Sequence, residues 1–326
     1  MSCYPWQRAA WELYAARWSN ATVPHALLIA GPRGLGKRAL AAELAASLLC
    51  RVPREEAVAC RNCGGCRQLA AAVHPDYWQV SLEPKRSQIR VEQIRELIAF
   101  VSLTSQHGGR KVAVIEPAER MNASAANALL KTLEEPPGEG VLVLVSELPG
   151  RLPATVRSRC VPLQLRPPPA AEVAAWLRAR NYQGDPALAA NLARGRPLAA
   201  LEWGRGGRLE RRLALFEALE SLLGGRCGAL PAAQTFGAGD TREAMGLLAA
   251  WTRDLLRLRL AGADAELEHP DLRPRLLRLA HQHSPRWLLA RLDEAHRGEQ
   301  LCDTPVAPQL LVEDVLVGWS GAGEPP

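Results

Sequence analysis

The stretch His25-Ala-Leu-Leu-Ile-Ala30, followed directly by Gly31-Pro-Arg-Gly34-Leu-Gly36-Lys37-Arg38, constrains this chain more than any other. A short apolar run reads as a buried strand, and the Ala- and Leu-rich stretch from about Lys37 to Leu49 reads as a helix. Between them, glycines let backbone N–H groups converge on phosphate oxygens, and the helix N-terminus adds a positive dipole. Lys37 would reach the terminal phosphates, with Gly31, Gly34 and Gly36 shaping the loop. A strand, a glycine-rich turn and a helix in that order point to a mostly parallel α/β sheet. The pattern G-x-x-x-x-G-K-[S/T] fails only at its last position, where Arg38 replaces the hydroxyl that ligates Mg²⁺. ATP occupancy is therefore open, and a glycine-rich turn that binds nothing is the plain alternative.

The alternation continues for about 165 residues. Tyr77–Leu82, Lys111–Glu116, Val141–Ser146 and Cys160–Leu165 read as further strands. Val91, Ile94, Leu97, Ile98 and Val101 mark one helix, and Ala123–Glu135 another, stopped by Pro136-Pro137. The strand ending at Glu116 stands where hydrolysing ATPases carry two acids, one near Mg²⁺ and one polarising water. Here Pro117 takes the second place, so hydrolysis is not expected; Glu119, one turn on, reads as a solvated charge. Pro167-Pro168-Pro169 ends the pattern, because proline blocks both helix and central strand. Beyond it the chain reads as helical. Val173, Trp176 and Leu177 form one stripe, Asp185-Pro186 opens a second helix and Gly195-Arg196-Pro197 a third. Further helices carry Leu209/Leu213/Phe216, Leu248/Trp251/Leu255/Leu258, Ser284-Pro285 at an N-terminus, and Leu311/Val315/Trp319. The expected layout is an α/β domain over residues 1–166, a small helical domain over 167–207 and a larger helical domain over 208–326. The polar tail from Ser320 is expected to fray.

Of eight cysteines, four fall within 17 residues: Cys50, Cys60, Cys63 and Cys66. No apolar export segment opens the chain and no run approaches the roughly 18 apolar residues that would span a bilayer. The expected location is the cytoplasm, with no membrane partner, and there a tight cysteine cluster favours metal over disulfides. Two-residue spacers suit a tetrahedral Zn²⁺ held by four thiolates, a closed and hence structural site. An iron–sulfur cluster is the rival, disfavoured because no C-x₃-C-P completes the run after Cys66. The net charge of +6 permits acidic partners without requiring them.

Several segments together resemble the clamp-loader branch of AAA+ proteins: Ala125-Ala-Asn127-Ala-Leu-Leu-Lys131-Thr-Leu-Glu134-Glu135-Pro136-Pro137, then Leu152-Pro-Ala-Thr155-Val-Arg-Ser158-Arg159-Cys160. The likeness covers the whole chain in order, the cysteine insertion resembling the zinc module of bacterial clamp loaders, and Tyr4-Pro5-Trp6, His74-Pro75-Asp76-Tyr77 and the degraded nucleotide site point to one subunit type within that branch. The resemblance implies an AAA+ core with an inserted zinc module, a three-helix lid and a helical collar for oligomerisation. It implies a DNA-replication role beside gamma/tau and delta subunits of a polymerase holoenzyme, loading a sliding clamp onto primed DNA. Alone, Arg157-Ser158-Arg159-Cys160 is a basic surface turn. The resemblance makes Arg159 an arginine finger offered in trans to ATP on a neighbour, and puts Leu198 where active loaders carry a nucleotide-sensing arginine. Two rivals are an active gamma-type ATPase and a zinc-containing module binding DNA through Arg205, Arg208, Arg211 and Arg212, arginines that otherwise solvate a helix face.

Overall fold

The computed structural model describes residues 3–320 apart from 21, 85 and 303; the tail expected to fray lies, beyond Ser320, outside the described residues. The chain divides into two compact units, Met1–Pro168 and Pro169–Pro326.

Among the described residues, the first unit holds one five-stranded sheet. Its strands are β1 (Ala26–Ala30), β2 (Tyr77–Val80), β3 (Lys111–Ile115), β4 (Gly140–Ser146) and β5 (Val161–Gln164), ordered β2-β3-β4-β1-β5. Every pairing is parallel, as apolar runs separated by helices require. Side chains alternate across β1, so Leu27 and Ile29 enter one core and Leu28 the other. The first core is closed by α1 (Arg8–Ser19), through Trp11 and Tyr14, and by α2 (Lys37–Leu49), through Leu40, Leu44 and Leu48. The second is closed by α4 (Val91–Ser102), through Ile94, Leu97 and Val101, and by α5 (Ala123–Glu134), through Leu129 and Leu133. Two short helices, α3 (Gly64–Ala70) and α6 (Ala154–Arg157), carry the cysteine and arginine segments. The carboxyl ends of β1, β3 and β4 deliver Gly31, Glu116 and Glu147 to one edge of the sheet, the usual place for ligand chemistry in parallel α/β folds.

The second unit is helical. It contains α7 (Ala170–Arg178), α8 (Pro186–Leu192), α9 (Pro197–Trp203), α10 (Arg208–Leu223), α11 (Ala229–Gly237), α12 (Thr241–Ala261), α13 (Arg273–Gln282), α14 (Pro285–Leu301) and α15 (Pro308–Ser320). Asp185, Asp240 and Ser284 cap three of these through side-chain oxygens that accept first-turn N–H groups. In the core, Phe216 meets Trp251 edge-on at 5.2 Å. Buried Asp254 accepts the backbone N–H groups of Glu268 and His269, which ties the connection after α12 back onto it. No described helix is long and apolar enough to cross a membrane.

Candidate functional site

The phosphate-type loop has the backbone its glycines predict. Gly36 is left-handed at φ +74°, and a Cβ there would lie 2.7 Å from the Tyr4 ring. A Cβ on Gly31 would stand 2.5 Å from the Leu165 carbonyl oxygen. Only glycine fits either position. The loop is also fastened from the N-terminal segment. The Trp6 indole donates to the Leu35 carbonyl at 2.9 Å, and the Gln7 amide donates to the carbonyls of Leu35 and Gly36 at 2.8 Å each.

The loop's cations are already engaged by groups of the same chain. Lys37, 5% exposed, donates through Nζ to the Pro32 carbonyl at 3.0 Å and lies 3.6 Å from Glu147 Oε1. Burial pulls its ammonium below the usual lysine value, opposed by the carboxylates of Glu147, Glu119 and Glu116. Arg38 Nε meets Glu116 Oε2 at 2.8 Å. The residue in the hydroxyl position of the loop is thus bonded to the acid at the end of β3, the two places from which a divalent cation is ordinarily held. Glu119 is not the solvated charge its sequence position suggested. Its Oε1 accepts the Glu147 N–H at 3.1 Å, and its Oε2 is buried without a partner. Neither Glu119 nor Glu147 carries a local signal, since they reach Lys37 only through the strand order.

The four clustered cysteines converge. Their sulfurs all lie within 4.8 Å of one another, with Cys50–Cys63 and Cys60–Cys66 each at 3.9 Å. A tetrahedron of thiolates around Zn²⁺ at about 2.3 Å has an edge of about 3.8 Å, so the donor set fits that ion. Backbone N–H groups point at the sulfurs: Cys60 N–H to Cys50, Cys63 N–H to Cys60 and Cys66 N–H to Cys63. Burial raises Cys63, but the N–H groups of Cys66 and Arg51 outweigh it and bring its thiol down to about 6. Burial pushes Cys66 up to about 12. The knuckle is attached to α2 by an ion pair between Arg61 and Glu43.

Behind the knuckle stands a buried polar junction that spacing did not reveal. Asp76, 1% exposed, accepts from Ser105 Oγ at 3.0 Å, from the N–H groups of Gln106 and His107, and from Lys111 Nζ at 3.2 Å. Burial would raise its carboxyl, yet these donors together hold it below the ordinary carboxylate value. The Lys111 ammonium also sits 4.1 Å over the Phe100 ring. His74 accepts the Asp76 N–H at 3.0 Å, and its far side approaches Gly65, between the last two cysteines. The His74-Pro75-Asp76 segment therefore joins the knuckle to the sheet.

Arg159 follows α6 at the sheet margin. One guanidinium nitrogen donates to the Thr155 carbonyl at 3.0 Å and the other pairs with Glu134 at the end of α5. Leu198 is half-buried in α9. The arginines of the 205–212 segment do not form a free basic face. Arg212 is 1% exposed and donates to both Asp271 oxygens at 2.7 Å, which corrects its reading as a solvated side chain. Arg208 pairs with Glu243 and Arg205 with Glu202. Arg212 and Arg208 are thus committed within the unit, while Arg205 stays largely exposed.

Residues 6–169 match the family model described as DNA polymerase III, delta subunit, and residues 206–321 match that of DNA polymerase III, delta subunit, C terminal. DNA polymerase III subunit delta' of Pseudomonas aeruginosa is 39% identical over 99% of this chain and 98% of its own length. The subunit delta' of Escherichia coli K12 is 36% identical over 97% of this chain and 95% of its own length.

Proposed function

The chain belongs to the DNA polymerase III subunit delta' family, and we propose from that premise that it is a clamp-loader subunit that assists ATP hydrolysis without performing it. In this reading residues 1–166 are an AAA+ core, 167–207 a lid and 208–326 the collar through which it joins gamma/tau and delta subunits. The exposed Leu230, Leu310 and Val317 of α11 and α15 support assembly through the collar. The complex would load the sliding clamp onto primed DNA in the cytoplasm.

The observation that carries the proposal is the pair Arg38–Glu116. A hydrolysing loop needs a hydroxyl and a carboxylate free to hold Mg²⁺ against the phosphates, and a second acid to direct water. Here a guanidinium occupies the carboxylate, Pro117 replaces the second acid, and Lys37 is turned onto Pro32 and Glu147. ATP entering Gly31, Gly34, Gly36 and Lys37 would have to displace Glu147, and would not be turned over. Arg159 is the catalytic contribution: an arginine finger reaching ATP on the adjacent subunit, where such a group typically contributes about 10³–10⁵ in rate.

Cys50, Cys60, Cys63 and Cys66 would hold structural Zn²⁺. Bound there, the ion fixes the insert between α2 and β2, since four thiolates leave no open position for catalysis. Steady-state ATP hydrolysis by the purified chain tests the reading. It is expected to be silent, and turnover abolished by Lys37→Ala would overturn it.

A further inference from the structure

We infer that Glu134 is the positioning residue for Arg159, holding the guanidinium in the direction from which it can meet a neighbour's terminal phosphate; this rests on the arginine-finger reading above. The placement of Glu134 is unusual on local grounds. It is the last residue of α5, where the helix dipole is negative and an acid is disfavoured, and Glu135 directly after it adds a second. Within the helix only Lys131, three residues earlier, offsets it, in the less favourable order of base before acid. What the carboxylate does in the structure is pair with Nη2 of Arg159. From the other side the Thr155 carbonyl accepts from Nη1 at 3.0 Å, with the Ser158 hydroxyl at 3.5 Å.

Two elements, the end of α5 and α6 with the residue that follows it, thereby grip one side chain at both terminal nitrogens. A guanidinium carries five N–H donors in a rigid plane. Three are directed at Glu134, Thr155 and Ser158, leaving the Nε–H and one Nη2 hydrogen for a further acceptor, and the side chain remains about one-third exposed. An arginine fixed in this way surrenders little further rotamer freedom when a phosphate arrives. The two charges are close to solvent, so the pair is weak in itself and does not compete strongly with a triphosphate.

Reconstituted loader carrying the full-length chain and its ATP-hydrolysing neighbours provides the test, read as kcat and KM for clamp- and DNA-stimulated ATP hydrolysis. Glu134→Ala is expected to lower kcat about three- to tenfold with KM for ATP unchanged, the amount one freed side chain represents. Glu134→Gln, which keeps the acceptor and removes the charge, is expected to restore kcat to near wild type. Glu135→Ala is expected to leave both parameters unchanged. Thermal melting and co-elution with the partner subunits establish that each variant is folded and assembled. Arg159→Ala separates the two ideas. If it abolishes stimulation while Glu134→Ala behaves as wild type, the positioning role is wrong and the finger stands. If Arg159→Ala changes nothing, the finger reading falls and the positioning role falls with it. A Glu134→Gln variant as impaired as Glu134→Ala would also overturn orientation by hydrogen bonding.

Discussion

Lys111→Met removes one half of the buried ion pair that joins the His74-Pro75-Asp76 segment to the sheet. Lys111 and Asp76 have side chains only 5% and 1% exposed, and their charged atoms lie 3.2 Å apart. Removing one member of such a pair while leaving the other buried typically costs about 3–5 kcal/mol. Asp76 keeps its bonds from Ser105, Gln106 and His107, which favours the lower end. Loss of the ammonium over Phe100 adds to it, while methionine retains the apolar stem. The expected destabilisation is about 3 kcal/mol. For a cooperative unit of this size that corresponds to a fall in Tm of about 6–12 °C. The pH dependence gives a second reading. The folded-state carboxyl of Asp76 is held below its unfolded value, so its stabilisation is present above that unfolded value, about pH 4. It is lost as pH falls through the folded value, where the unfolded state binds more protons. Urea unfolding followed at several acid pH values should show this slope in the wild type and a flatter one in Lys111→Met. Asp76→Asn combined with Lys111→Met should couple by more than about 1 kcal/mol in a double-mutant cycle. A Lys111→Met variant within about 0.5 kcal/mol of wild type, with an unchanged acid slope, would show that the pair does not hold this segment to the sheet.

Elemental analysis should find one zinc per chain without labile sulfide, lost in Cys66→Ser; iron with labile sulfide would contradict the knuckle as described. Because the Cys66 thiol, pushed up to about 12, must deprotonate to bind, zinc added to metal-free protein at neutral pH should release protons, and affinity should fall as pH falls. Arg212→Ala should destabilise the second unit by about 1–3 kcal/mol, because it removes a buried side chain and its two bonds to the partly exposed Asp271. The same variant should leave salt-dependent DNA affinity of the assembled loader unchanged, and a reduced salt slope would revive a direct phosphate contact.

Much of this architecture is legible in the sequence because its signals are local. The five strands are short apolar runs with glycine, proline or charge at their ends, and each lies within two residues of its expected bounds. The helix from Lys37 to Leu49 is bounded by Gly36 before it and Cys50 after it. The cysteine spacing likewise encodes a local knuckle. What escaped reading is what depends on the sheet order. Glu147 and Glu119 meet Lys37 because β4 lies between β3 and β1. Arg38 finds Glu116 for the same reason, and no spacing rule pairs them. Among the helices, α11 and α13 go unread in the sequence: the first is short, with small residues and Pro231 inside, and the second begins Arg-Pro-Arg, although Leu276, Leu279 and Ala280 do form a buried stripe along it. Arg212 looked solvated because its partner, Asp271, lies in a distant connection.

The most direct test of an assisting subunit is to compare Lys37→Ala and Arg159→Ala within reconstituted loader, measuring ATP hydrolysis stimulated by clamp and primed DNA. If the chain's own loop turns over no ATP, Lys37→Ala leaves the rate unchanged. If Arg159 is a finger offered to a neighbour's ATP, Arg159→Ala removes hydrolysis there, a loss of about 10³-fold or more. The reverse pattern, a rate that collapses with Lys37→Ala and survives Arg159→Ala, would make the chain an ATPase in its own right and contradict the account.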